Sequence, residues 1–146
     1  MSLSTENKSL KILLGITYLG LLIFLLFFAP FRTNTATTVN FIPFKSIAPL
    51  TVYTFTTGHG ILHWLINVPG NIIAFIPLPF IFQLVRKSKP KFLIMIFISL
   101  IIPFIIEFSQ YLFQTGSCDI DDWMLNFAGM IFGYKLIRKF QRQPAS

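Results

Sequence analysis

FLIMIFISLIIPFIIEFSQYLF, residues 92–113, is the stretch that decides the fold. It carries a single charge, Glu107. As a helix it would extend ~33 Å, enough to cross a ~30 Å hydrocarbon layer. Three more apolar stretches flank it in the chain: about Leu10–Ala29, about Ile61–Val85 and about Trp123–Ile137. The last would extend only ~22 Å as a helix, short of the layer. It reaches across if it begins near Ile120 and if Lys135, Arg138 and Lys139 snorkel. The expected fold is therefore an all-α membrane protein. It is a four-helix transmembrane bundle in a single domain spanning residues 1–146.

Composition agrees. The chain is 54% hydrophobic and only 12% charged, whereas a soluble domain carries roughly 25% charge. The net charge of +7 could suggest nucleic acid, but the basic residues sit at the ends of apolar runs and no basic, aromatic-interleaved surface segment exists. Nucleic acid is excluded on that ground. The basic residues also set the expected orientation. Arg86, Lys87, Lys89 and Lys91 crowd the second link, and Lys135, Arg138, Lys139 and Arg142 crowd the tail. The link 114–122 holds three aspartates and no base. The positive-inside rule then predicts cytoplasmic N- and C-termini and an outward aspartate loop. The run Ile12–Pro30 is longer than a usual signal-peptide core and no A-x-A site follows, so it reads as an uncleaved anchor.

The segment Asn34–Gly60 mixes threonines with Phe41, Ile42, Phe44, Val52, Tyr53 and Phe55. That many apolar side chains favour an interfacial or re-entrant outer segment between spans one and two.

Each later span carries one polar stripe at helical spacing. Span two has His59, His63, Asn67 and Asn71; span three has Ser99, Pro103, Glu107, Gln110 and Gln114; span four has Asp119, Asp122, Asn126, Gly129 and Gly133. Counting residues from the span ends puts Glu107, Asn71 and Asp122 in the same outward half, so the stripes are expected to meet there. The uncharged amides also suit interhelical hydrogen bonding. A carboxylate is dearer than such a bond requires, which makes Glu107 a candidate for function. Gly129 and Gly133 are expected to let helices pack closely. Pro69, Gly70, Pro77 and Pro79 break span two, and the freed carbonyls call for a cavity or a protein donor beside the break.

Asp119, Asp121 and Asp122 are oxygen donors of the type that bind Ca²⁺ or Mg²⁺, but a capped helix N-terminus explains them as well. His59 and His63 lack a third ligand. No metal and no cofactor is expected. Cys118 is the only cysteine, so no internal disulfide forms; a small loop residue is its expected role.

Four pieces in order carry a resemblance: Asn40-Phe-Ile-Pro43-Phe44; Asn67-Val-Pro-Gly-Asn71 through Phe75-Ile-Pro77; Glu107-Phe-Ser-Gln110; and Gly116-Ser-Cys-Asp119-Ile-Asp-Asp122, followed by Asn126, Gly129 and Gly133-Tyr134. Together, from Asn40 to Tyr134, they resemble the VanZ-like family of small bacterial membrane proteins. Two positions depart from the family pattern. Pro79 stands where many members have glycine, and Ser117 where many have arginine. No role of that arginine carries over. The resemblance implies a Gram-positive cell-envelope setting. It also implies a link to resistance against teicoplanin-type glycopeptide antibiotics, and it brings no reaction with it.

The expected function is engagement of a lipid-linked or lipopeptide ligand at the outer leaflet of the cell membrane. The partners expected are membrane lipid and a lipid-linked cell-wall precursor or lipoglycopeptide. In that reading Glu107, Asp119 and Asp122 hold polar or catalytic roles, and Asn40, Pro43, Phe44, Asn67, Asn71, Gln110 and Asn126 line the binding region. The alternative is a membrane-embedded enzyme acting on a lipid-linked precursor with Glu107 as acid or base. A small proton-linked transporter, acting as a homo-oligomer through Gly129 and Gly133, is a third reading.

Overall fold

The computed structural model describes residues 3–28, 38–86 and 91–140, with side chains placed for 9–28, 38–84 and 91–140. Lys87, Lys89, Arg142 and the start of the Asn34–Gly60 segment, which carried part of the expectations above, lie outside the described residues. The chain is mostly helical. Helices α1 (Leu3–Phe27), α2 (Ile47–Thr57), α3 (Ile61–Asn67), α4 (Pro69–Phe75), α5 (Leu78–Arg86), α6 (Phe92–Leu112) and α7 (Ile120–Phe140) are joined by two-residue strands β1 (Val39–Asn40) and β2 (Cys118–Asp119). Among the described residues three stretches are long and apolar enough to cross a membrane: Ser9–Phe27, Ile61–Leu84 and Phe92–Leu112.

The second of these is broken in two places, and proline chemistry explains both. Pro69 has no N–H to give to the Leu65 carbonyl, so the helix stops at Asn67 and restarts. The kink brings that carbonyl so near Gly70 that a Cβ there would lie only 3.0 Å from it. Side-chain amides bridge the break: Asn67 Nδ2 donates to the His63 carbonyl at 2.7 Å, and Asn71 Nδ2 to the Asn67 carbonyl at 3.0 Å. Pro77 causes the second interruption, before α5. The polar stripe expected along this span keeps His63, Asn67 and Asn71, linked by those bonds, but loses His59. His59 sits in the turn between Gly58 and Gly60, ahead of α3, and both histidines are exposed.

α6 keeps Pro103 inside its length and ends in a Schellman turn. Thr115 N–H donates to the Gln110 carbonyl at 2.9 Å and Gln114 N–H to the Tyr111 carbonyl at 3.2 Å. Gln114 takes the left-handed conformation, with φ of 56°, where glycine is usual. It is exposed and leaves the polar stripe, contrary to the helical spacing read from the sequence.

α7 is the axis of the molecule, packed by α4, α5 and α6. It runs parallel to α4 at close range. A Cβ on Gly129 would collide with the Ile72 carbonyl oxygen and one on Gly133 with that of Ile76. Both glycines are thus spent on contacts within the chain. Phe75 and Met130, almost fully buried, pack with Leu22 and Leu26 of α1, flanked by Ile98, Ile102 and Ile106 of α6. β1 and β2 form a short parallel ladder pairing Val39 with Cys118 and Asn40 with Asp119. α1 and α6 finish at this ladder end, and α7 begins there. At the opposite, basic end lie Lys11, Lys91, Lys135, Arg138 and Lys139.

Candidate functional site

The ladder end gathers Glu107, Asp119, Asp121 and Asp122, and the start of α7 organises them. Asp119 precedes α7 as its N-cap, its Oδ1 accepting the Asp121 N–H at 2.9 Å. The same carboxylate accepts Asn40 Nδ2 at 3.0 Å and the Ser46 hydroxyl. Asp121 is fully buried. It accepts three main-chain N–H groups: Phe44 at 2.5 Å, Ser46 at 2.9 Å and Ile47 at 3.1 Å. These include the first donors of α2, whose N-cap Ser46 makes no capping bond of its own. The negative carboxylate at the N-terminus of α2 also meets the positive end of the helix dipole. Asn40 completes the turn by accepting the Ile42 N–H at 3.1 Å. Residues 39–47 are therefore strapped onto the start of α7 by two aspartates.

The strap buries Asn40 but leaves Pro43 and Phe44 exposed, with Phe44 held at φ of 65°. Phe41, Ile42 and Phe44, like Val52, Tyr53 and Phe55 of α2, are exposed large apolar side chains. α2 has 11 residues, ~16 Å as a helix and too short to span.

Further along α7 the acid and amide groups pair across helices. Asn71 of α4, buried, donates its Nδ2 to Asp122 Oδ1 at 2.8 Å. One turn on, Asn126 donates its Nδ2 to Glu107 Oε1 of α6 at 3.1 Å, with Glu107 3% and Asn126 1% exposed. The Asn126 Oδ1 is buried and accepts no hydrogen bond from the described residues. Three expected stripes thus do meet, as two pairs stacked on one face of α7. Ser99 and Pro103 are also buried along α6. Gln110 is buried too, but it turns to α1, donating to the Leu26 carbonyl at 2.7 Å. Asn67 pairs locally with His63, its Nδ2 3.2 Å from the ring Nδ1.

Asn71 links this polar column to an apolar groove of about 310 Å³ between α1, α3 and α4, walled by Leu22, Leu25, Leu65 and Ala74. One side of Asn71 faces hydrocarbon-lined space and the other holds Asp122. Asp119, Asp121 and Asp122 do not converge, since each carboxylate turns to different donors. Among the described residues no group of three His, Cys, Asp or Glu is placed to hold a metal ion. Cys118 is buried in β2. Burial pushes its thiol up from the usual range, and the negative charges of Glu107 and Asp119 push it further. A thiol so placed stays protonated at neutral pH and is a poor nucleophile.

Sequence reading missed Asp121 as the main anchor of the strap. It also missed Ser46, Tyr18, whose hydroxyl donates to the Ala74 carbonyl, and Trp123, whose Nε1 donates to the Leu100 carbonyl at 2.9 Å. The Asp-Ile-Asp-Asp spacing was the available signal for Asp121. Its partners, main-chain groups some 75 residues earlier, leave no mark of their own.

A family model described as VanZ/LLP1 matches residues 14–141. No curated protein and no solved structure matches the chain.

Proposed function

The chain belongs to the VanZ/LLP1 family, and from that premise we propose that it engages the polar part of a lipid-linked or lipopeptide ligand at the outer leaflet of the bacterial cell membrane. In this reading it is a multi-pass protein with α7 as the fourth span and both termini in the cytoplasm. Helix α7 has 21 residues, ~31 Å of rise. It is too polar to resemble a lipid-facing span, but it has no need to, being wrapped by α4, α5 and α6. The separation of bases to one end and most acids to the other supports the orientation.

The observation that carries the proposal is the polar column Asn71–Asp122 and Asn126–Glu107, which reaches an apolar groove through Asn71. A ligand with an acyl or polyprenyl chain matches that combination: the chain fills the groove and its polar part meets Asn71 and Asp122. Asp119 and Asp121 act by holding the strap that covers this end. The exposed Phe41, Ile42 and Phe44 then sit at the headgroup level. Protection against a teicoplanin-type glycopeptide, whose acyl chain fits the same description, is the phenotype proposed.

The test is expression in a susceptible Gram-positive host. Wild type is expected to raise the inhibitory concentration of teicoplanin more than that of vancomycin, which lacks the acyl chain. Glu107→Gln and Asp122→Asn, at equal membrane levels, are expected to lose most of that gain. Equal sensitivity of wild-type, variant and empty hosts would remove the resistance reading.

A further inference from the structure

A second groove lies at the basic end, remote from the acidic column. It has a volume of about 240 Å³ and is formed where α1 passes α5. Its walls are Leu14, Gly15, Phe80, Ile81 and Leu84, and Lys11 stands at its mouth. Lys11, Leu14, Gly15 and Tyr18 share one face of α1, over ~10 Å of rise. Gly15 helps to keep the groove open. A Cβ there would only just touch Ile81, at 3.9 Å, so a larger side chain would occupy the space. The Tyr18 hydroxyl does not add polarity to the wall, because it is spent on the Ala74 carbonyl.

The walls belong to two stretches apolar enough to cross a membrane, so what fills the groove in a bilayer is hydrocarbon. Charge selects which lipid. The carboxylates with placed side chains, Glu107, Asp119, Asp121 and Asp122, are all associated with the other end. Glu6 lies more than a turn before Lys11 in α1. Lys91, Lys135, Arg138 and Lys139 share the end with Lys11, and none of the four is bonded to a carboxylate among the described residues. We infer that this groove is a binding site for an anionic phospholipid. One acyl chain lies between α1 and α5, and the phosphate meets the Lys11 ammonium. The inference is independent of the ligand proposed for the acidic column.

The experiment is native mass spectrometry of the full chain released from nanodiscs holding equal dioleoylphosphatidylglycerol and dioleoylphosphatidylcholine. Wild type is expected to retain the glycerol lipid about fivefold over the choline lipid, the size of effect one membrane-surface lysine gives. Lys11→Gln, an exposed position where folding is not at stake, is expected to bring the ratio close to one. Gly15→Leu is expected to reduce retention of both lipids by filling the groove, with helicity unchanged by circular dichroism. Excess glycerol 3-phosphate is expected to leave the ratio unaltered, which separates a lipid site from a phosphate site. A wild-type ratio near one, or a ratio that survives Lys11→Gln, would overturn the proposal, as would competition by glycerol 3-phosphate.

Discussion

The Asp121 carboxylate is buried and answered by main-chain N–H groups of Phe44, Ser46 and Ile47. Hydrogen bonds to a charged group contribute about 1.5–3 kcal/mol each. Asp121→Asn keeps one oxygen and turns an NH₂ toward donors that want an acceptor. The expected cost is about 2 kcal/mol, seen as roughly 30-fold faster hydrogen exchange at the Ser46 and Ile47 amides. Unchanged exchange there would show that the strap is held by other means. Cys118 offers a second reading of the same neighbourhood. Its thiol is raised by burial and by the charges of Glu107 and Asp119. Its alkylation by iodoacetamide is therefore expected to be slow at neutral pH and to rise only above the pH at which an ordinary cysteine ionises. A rate profile with an ordinary midpoint would contradict that environment. At this scale the sequence showed a good deal. Ser99, Pro103, Glu107 and Gln110 are buried as their spacing implied. Gln114 escaped because the helix ends first, in a left-handed turn that spacing alone does not reveal. Asp121 escaped because its partners are main-chain groups.

Among the elements, the α4–α7 contact governs how the polar column is assembled. Gly129 and Gly133 bring the α7 backbone against the Ile72 and Ile76 carbonyls, which sets the spacing over which Asn71 reaches Asp122. Gly133→Leu is expected to lower the thermal midpoint in detergent by several degrees, the effect of overpacking a tight interface by about 1–3 kcal/mol. Ala128→Leu, exposed on the same helix, is expected to change it little. Equal midpoints for both variants would mean that the close approach does not support the fold. The G-x-x-x-G spacing announced a close contact. It did not say whether the partner was another copy or the same chain, and the structure uses it internally. The breaks in span two were legible from Pro69 and Pro77, because proline leaves no choice at the backbone. Helix α2 was legible only as an apolar segment at the interface; its start depends on Asp121, far along the chain.

For the whole molecule, charge and polarity are arranged along one axis. The apolar helices gather around α7, the acidic and amide groups cluster toward the ladder end, and most bases lie at the other. Among the described residues three stretches are long and apolar enough to cross a membrane; the fourth apolar run read from the sequence, Trp123–Ile137, lies in α7, which mixes polar with apolar residues and is packed by α4, α5 and α6. In the proposed function Asn71 and Asp122 receive the polar part of a ligand whose chain lies in the adjoining groove. The most direct test is equilibrium binding of fluorescent teicoplanin to the full chain in nanodiscs. Vancomycin with the same label serves as the chainless control, and Asp122→Asn and Ala74→Phe as variants that alter the polar partner and fill the groove. Saturable binding of the acylated compound only is expected, weakened about tenfold or more by either change, as loss of one buried polar contact or of the chain site implies. Binding that is the same for both compounds, or that neither variant alters, would contradict it.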